Sequence, residues 1–184
     1  MAKPNLDFDR LFILKHVKVA VCILSAAVWA LSAGMQNLYA AVLISLLFGL
    51  SLLTVLVDLK INVIPNELIL ALAVSGVLFQ ITYYGFESLL TAIVCMLVIA
   101  GLFTLIAVAL GFSKVGAGDV KLSGIMGLIL GYPNIIAALT IMCVSLLIYT
   151  QIGLLTRKLT LRSMLPFAPF MMLGLITTLV CIVL

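Results

Sequence analysis

Residues 88–112 have the sequence SLLTAIVCMLVIAGLFTLIAVALGF, which contains no charged side chain. A helix of about 20 apolar residues crosses the hydrocarbon core of a bilayer, so this stretch is long enough to form a membrane span. Five further runs are largely apolar, at residues 18–34, 38–57, 67–84, 134–156 and 166–184. The predicted fold is therefore an all-α, polytopic bundle of membrane-spanning helices.

The composition excludes a soluble globular domain. Of the 184 residues, 66% are hydrophobic and only 9% are charged, whereas soluble domains contain about 25% charged residues. Collagen-like, disordered and nucleic-acid-binding chains are excluded as well, because they do not contain repeated long runs without a charge. We therefore expect contact with membrane lipid and no nucleic-acid partner.

A seventh apolar run, at residues 119–132, is shorter than the others. About 14 residues form roughly 21 Å of helix, which is enough for a span only if neighbouring helices shelter it. Small residues recur at every fourth position in this run, at Ser123, Gly127 and Gly131, and this spacing lets helix backbones approach closely. We expect six to seven spans, with the short one packed among the others.

The basic residues predict the orientation of these spans. If the N-terminus is cytoplasmic, all ten Lys and Arg side chains fall on the cytoplasmic side, namely Lys3, Arg10, Lys15, Lys18, Lys60, Lys114, Lys121, Arg157, Lys158 and Arg162. The opposite loops contain no Lys or Arg and a single acid, Glu87. The positive-inside rule then predicts a multi-pass protein of the cytoplasmic membrane with an external C-terminus.

The N-terminal region, residues 1–37, contains a basic segment followed by an extra span at 18–34. We interpret the basic segment as a short helix on the cytoplasmic interface. A signal peptide is the alternative, but Leu31 stands at the minus-three position before a cut after Ala33, where a small residue is expected.

Each of the four cysteines lies in an apolar run, and the chain has no CxxC pair. We interpret them as buried structural thiols, and they indicate neither a metal site nor a disulfide framework. We expect no cofactor and no metal.

Apart from the N-terminal acids and Glu87, the acidic residues are Asp58, Glu67 and Asp119, each at the cytoplasmic end of a predicted span. Asp58 closes the second span, where a carboxylate opposes the helix dipole, and Asp119 follows the flexible sequence GAG. Asp119 could instead cap a helix, and Asp58 could be a solvated partner of Lys60. Two carboxylates at one depth of a nearly acid-free chain nevertheless favour the active site of an aspartic protease.

Two neighbouring carboxylates in a low dielectric share one proton, because ionising both is costly. The ionised member accepts a proton from a water molecule as that water attacks a peptide carbonyl. The protonated member stabilises the developing oxyanion and later donates its proton to the amine. This chemistry requires no metal and no nucleophilic side chain.

Three ordered motifs resemble those of the type IV prepilin leader peptidases, a family of GxGD aspartic proteases. The first is Asp58 followed by Ile64-Pro65-Asn66, and the second is GAGD at residues 116–119 with Lys121 two positions further. The third, PFAPF at residues 166–170, is similar to the family segment PFGPF, with Ala168 at the position of its glycine. The resemblance covers residues 38–184.

The resemblance implies one membrane-embedded peptidase domain over residues 1–184, in which residues 38–184 form the catalytic core. It implies that Asp58 and Asp119 are catalytic and that prepilin or pseudopilin leader peptides are cut at the cytoplasmic face. Residues that would shape the site or approach the substrate are Ile64, Pro65, Asn66, Gly116, Gly118, Lys121, Pro166 and Pro169. The short chain without a CxxC pair is similar to the Flp/Tad-type peptidases, so we expect no methyltransferase activity.

Two other functions use the same residues. Paired acids could relay protons or bind cations in a small ion-coupled transporter or channel subunit, although such acids are expected nearer the middle of the spans. The chain could also be a noncatalytic partner in a secretion complex, in which the motifs serve packing alone.

Overall fold

The computed structural model describes residues 38–61, 63–110, 116–156 and 167–183, and these residues form six α-helices. The helices are α1 (Leu38–Ile61), α2 (Asn66–Tyr84), α3 (Phe86–Leu110), α4 (Ala117–Leu130), α5 (Asn134–Leu155) and α6 (Ala168–Val183). No β-strand occurs within these ranges, and the predicted all-helical fold is confirmed.

Four of the helices, α1, α2, α3 and α5, are long and apolar enough to cross a membrane. The other two are shorter, with 14 residues in α4 and 16 in α6. The chain is thus a helical membrane bundle. The predicted first span at 18–34 lies outside the described residues, as does the basic segment before it.

The helix ends follow from local sequence. Pro65 precedes α2 with an extended backbone, at φ −63° and ψ 141°, and its missing N–H costs nothing at a helix start. Gly85, between α2 and α3, and Gly131, after α4, have positive φ angles of 87° and 60°. Side chains are strained in this region, so glycine suits both turns. Helix α1 continues to Ile61, one turn beyond its predicted end at residue 57, because backbone hydrogen bonding does not stop where hydropathy falls.

Helix α4 lies inside the bundle, in contact with α2, α3, α5 and α6. Residues 122–130 are all buried. A helix that is covered on every side does not need the full length of a lipid-exposed span. The prediction of a short, sheltered helix is confirmed, and α1 completes the bundle by packing against α2 and α6.

Glycines permit the closest helix contacts. A Cβ atom at Gly127 would lie 3.1 Å from the backbone oxygen of Cys95 in α3, and one at Gly124 would lie 3.1 Å from the Ala100 side chain. In the same way, a Cβ atom at Gly174 of α6 would meet the Ala138 carbonyl of α5. The predicted small-residue pattern of α4 therefore does serve helix packing.

Successive helices run in opposite directions, so that the end of α1 and the starts of α2, α4 and α6 share one end of the bundle, called here the site end. At the other end, the Tyr83 hydroxyl donates to the Ile182 carbonyl at 3.3 Å. Asn134 Nδ2 donates to the Tyr84 hydroxyl there, at 3.0 Å. These bonds connect the end of α2 to the end of α6 and the start of α5.

The cysteine prediction is wrong for two of the described residues. Cys95 is half-buried, but Cys143 and Cys181 are exposed on the outside of the bundle. Lipid is as apolar as a protein interior, so an apolar side chain in a membrane span has no strong preference between them.

Candidate active site

Asp58 lies in the last turn of α1 and is 6% exposed. Its Oδ2 atom is buried and accepts no hydrogen bond from the described residues. Burying a carboxyl oxygen without a partner is costly, so such a group calls for a functional explanation. The structure places Asp58 inside the site end and not on its solvated surface, where pairing with Lys60 would require it to be.

The start of α6 provides a polar partner for Asp58. The backbone N–H of Ala168 acts as a donor toward the Asp58 carboxyl. Pro169 has no N–H, and the N–H groups of Phe170 and Met171 both donate to the Phe167 carbonyl, at 3.2 and 3.3 Å. The Ala168 N–H is therefore the one first-turn amide left for Asp58.

This contact was missed by sequence reasoning, which noted Ala168 only as a replacement for glycine. Ala168 is completely buried and Pro169 is half-buried, whereas Pro166 lies outside the described residues. The signal available in the sequence was the motif PFAPF, which resembles the family segment PFGPF. The motif indicates that this turn contributes to the site, but it does not identify the Ala168 amide as the group near Asp58. Phe167 anchors the turn by a T-shaped contact with Phe103 of α3, with ring centroids 6.1 Å apart.

Asp119 lies in the first turn of α4. Its backbone N–H donates to the Gly116 carbonyl at 3.0 Å, and the Gly116 amide acts as a donor toward the Asp119 carboxyl. Gly116 has an ordinary extended backbone, with φ −68° and ψ 141°, so the predicted need for unusual backbone freedom does not apply to it. The N-cap of α4 is Gly116, and no side chain caps this helix start. Asp119 lies within the first turn and is not the N-cap that the capping alternative expected.

The two aspartates lie within electrostatic reach of each other. Burial and then the charge of Asp58 raise the pKa of the Asp119 carboxyl to about 6, while the Gly116 amide opposes this rise. Asp119 belongs to α4, outside the four helices long enough to cross a membrane. A helix-start role alone does not explain why a second carboxyl from α1 is buried beside it.

The tripeptide Ile64-Pro65-Asn66 lies against the start of α4. Ile64 is buried, and a Cβ atom at Gly118 would lie 3.5 Å from its Cβ. Lys121 Nζ donates to Asn66 Oδ1 at 3.0 Å. This bond joins the first turn of α4 to the first turn of α2.

The described site residues therefore converge on one end of the bundle, although they come from four helices. Glu67 is exposed at the same end and Glu87 lies at the other. Within residues 38–61, 63–110, 116–156 and 167–183, no three His, Cys, Asp or Glu side chains group as metal ligands would.

Comparison with known families identifies the family to which the chain is similar. The model of the type IV leader peptidase family matches residues 45–151, which is more than half of the chain and includes both Asp58 and Asp119. No curated protein and no solved structure matches the chain significantly. The match begins within α1 and ends within α5. The chain belongs to the type IV leader peptidase family.

Proposed function

We propose that this protein is a membrane aspartic endopeptidase that removes the short basic leader from prepilin or pseudopilin substrates at the cytoplasmic face of the membrane. The observation that carries the proposal is the placement of Asp58 and Asp119 at one end of the bundle, where Oδ2 of the buried Asp58 carboxyl accepts no hydrogen bond from the described residues. Membership of a peptidase family supplies the reaction class, hydrolysis of a peptide bond.

The chemistry uses one proton shared between the two carboxyls. A water molecule held by the ionised carboxylate gives up a proton as its oxygen attacks the scissile carbonyl. The protonated carboxyl donates a hydrogen bond to the developing oxyanion, and the proton then passes to the leaving amine as the C–N bond breaks. Either aspartate can begin as the base.

The distribution of basic residues supports the cytoplasmic face. Lys60 and Lys121 lie at the site end, whereas Glu87 lies at the start of α3 at the opposite end. Under the positive-inside rule the site end is cytoplasmic, where the basic leader of a membrane-anchored precursor would also be held. The site is then at the membrane surface, at the depth where a leader joins its hydrophobic helix.

The sequence contains no CxxC pair. This supports a Flp/Tad-type peptidase domain, and we propose that it does not methylate its product.

The test is cleavage of a candidate prepilin from the same genome, co-expressed with the wild type, Asp58→Asn or Asp119→Asn at matched membrane levels. Glu67→Gln is the matched control, because Glu67 is an exposed acid at the same end of the bundle. The wild type and the control should shorten the prepilin, and both aspartate variants should leave it intact. Mass spectrometry of the new N-terminus then identifies the scissile bond.

Cleavage by both aspartate variants would contradict the aspartic mechanism. A wild type that cleaves none of the candidate prepilins would contradict the substrate assignment, and proton-coupled transport would be tested next. Gel filtration of each variant in detergent separates lost catalysis from lost folding, which a packing role of the motifs would produce.

A further inference from the structure

The tripeptide Ile64-Pro65-Asn66 touches the first turn of α4 on both sides of Asp119. Before Asp119, Gly118 lies against the Ile64 side chain, within van der Waals distance of a Cβ atom placed on the glycine. After Asp119, Lys121 Nζ donates to Asn66 Oδ1 at 3.0 Å. The two contacts therefore flank the candidate catalytic residue.

Pro65 restricts the backbone between Ile64 and Asn66, the two residues that make these contacts. Its side chain is buried and its ring restricts φ, which is −63° in the structure. Its carbonyl accepts a hydrogen bond from the Ile69 N–H at 3.3 Å, which joins it to the first turn of α2. The spacing between the Ile64 and Asn66 side chains is thus set by a stiff backbone.

The same tripeptide follows directly from the helix that carries Asp58. Helix α1 ends at Ile61, and Ile64 follows it after a short connection. A shift of the tripeptide would therefore move both the end of α1 and the first turn of α4. Displacing a reacting group by about 1 Å can cost about a hundredfold in rate, so this linkage can control catalysis without touching substrate.

We infer that Asn66 and Lys121 are positioning residues, whose hydrogen bond, with the contact of Ile64 and Gly118, holds Asp119 where it can share a proton with Asp58. The inference rests on the proposed function. It makes Asn66 the functional partner of Lys121. It also predicts that the loss of kcat on mutating either residue depends on whether the other is present.

The experiment measures kcat and KM for prepilin cleavage in detergent for Asn66→Ala, Lys121→Met and the double variant. Both side chains are exposed, so the variants should fold, and thermal unfolding checks this. Each single variant should lower kcat about tenfold with KM within about twofold, because the dyad is misplaced while substrate still binds. The double variant should be no worse than either single variant, as expected for partners in one interaction.

Two conservative variants test the hydrogen bond itself. Asn66→Asp keeps an acceptor oxygen and Lys121→Arg keeps a donor, so both should retain most of the wild-type kcat. Glu67→Ala, next to Asn66, is the control and should cleave as the wild type does.

Three results would overturn the inference. Losses in kcat that multiply in the double variant mean that the two residues act independently. A loss in Lys121→Met without a loss in Asn66→Ala assigns Lys121 to a lipid headgroup or to Asp119. A rise in KM at constant kcat assigns the pair to substrate binding. None of these three outcomes contradicts the catalytic roles of Asp58 and Asp119. A wild type that does not cleave prepilin would instead contradict the proposed function.

Discussion

Asp58 and Asp119 lie at the same end of the bundle, and burial and then the charge of Asp58 raise the pKa of the Asp119 carboxyl to about 6. The two residues belong to α1 and α4, which are separated in the chain by two whole helices. The proximity of their carboxyls is therefore a product of the tertiary fold, and it has consequences for both rate and stability.

Cleavage should depend on pH through this pair. Asp119 loses its proton as the pH rises through about 6, and the two carboxyls then have no proton left to share. We expect kcat/KM, which reports ionisations of the free enzyme, to fall on the alkaline side of an inflection near that pH. A profile measured in detergent from acid to mild base checks this. Glu67→Gln should give the same profile, and a constant kcat/KM across the range would contradict the assignment.

The stability of the folded protein should also depend on pH through Asp119. The pKa of Asp119 is raised in the folded protein, so the folded state holds a proton that the unfolded chain releases, and stability falls as the pH rises from 3.8 toward 6. Asp119→Asn removes this effect. Because the carboxyl is partly exposed, we expect a gain of only about 1 kcal/mol at neutral pH.

The measurement is thermal unfolding of Asp119→Asn and the wild type in detergent, at neutral pH and near pH 4. The variant should melt at a higher temperature at neutral pH, and the difference should shrink in acid. A variant that is less stable at both pH values would show that the Asp119 carboxylate mainly caps α4.

Substitutions at Ala168 test the turn that faces Asp58. Ala168→Gly keeps the backbone N–H and adds no atoms, so it should cleave at a rate near that of the wild type. Ala168→Leu must fit three further carbon atoms at a completely buried position, which costs about 1–3 kcal/mol through overpacking. We expect it to lower kcat at least tenfold by displacing the amide from Asp58. Equal cleavage by the two variants would exclude a role for this turn.

Helix packing can be tested at two glycines. Gly174→Ala should destabilise the bundle by about 1–3 kcal/mol, because the new Cβ atom would meet the Ala138 carbonyl and push α6 away from α5. Gly101→Ala is the matched control, since a Cβ atom there has nothing within 4 Å. The control should be neutral or slightly stabilising, because alanine favours helix. Thermal unfolding in detergent compares the two, and similar melting temperatures would contradict the close contact.

Gln80 connects three helices at the end opposite the dyad. Its Nε2 atom donates to the Ile129 carbonyl at 2.9 Å, and its Oε1 atom accepts from Ser88 at 3.2 Å. Gln80→Leu should cost about 1–3 kcal/mol, because buried partners lose their hydrogen bonds. Gln151→Leu, at an exposed position of α5, should change stability by less than about 0.5 kcal/mol. Equal melting temperatures of the two variants would exclude a structural role for Gln80.

Much of the fold was predictable from the sequence because the signals are local. The long apolar runs locate α1, α2, α3 and α5, since only a membrane span needs such length. The small residues of 119–132 correctly indicated that α4 is short and sheltered. The order and spacing of Asp58, Ile64-Pro65-Asn66 and GAGD identified the candidate site, because the motifs and the carboxyl side chains that the chemistry requires can be read from the sequence.

The sequence by itself determined that this chain is a helical membrane bundle and which carboxyls are candidates for catalysis. Only the tertiary structure decided which faces of the helices are buried, as Cys143 and Cys181 demonstrate by their exposure. Hydropathy measures transfer out of water, and lipid and protein interior are equivalent in that respect. The partners of the site residues also required the fold, since the Ala168 amide beside Asp58 and the bond from Lys121 to Asn66 join segments distant in the chain. Such contacts depend on the packing of whole helices, and no local pattern of residues encodes them.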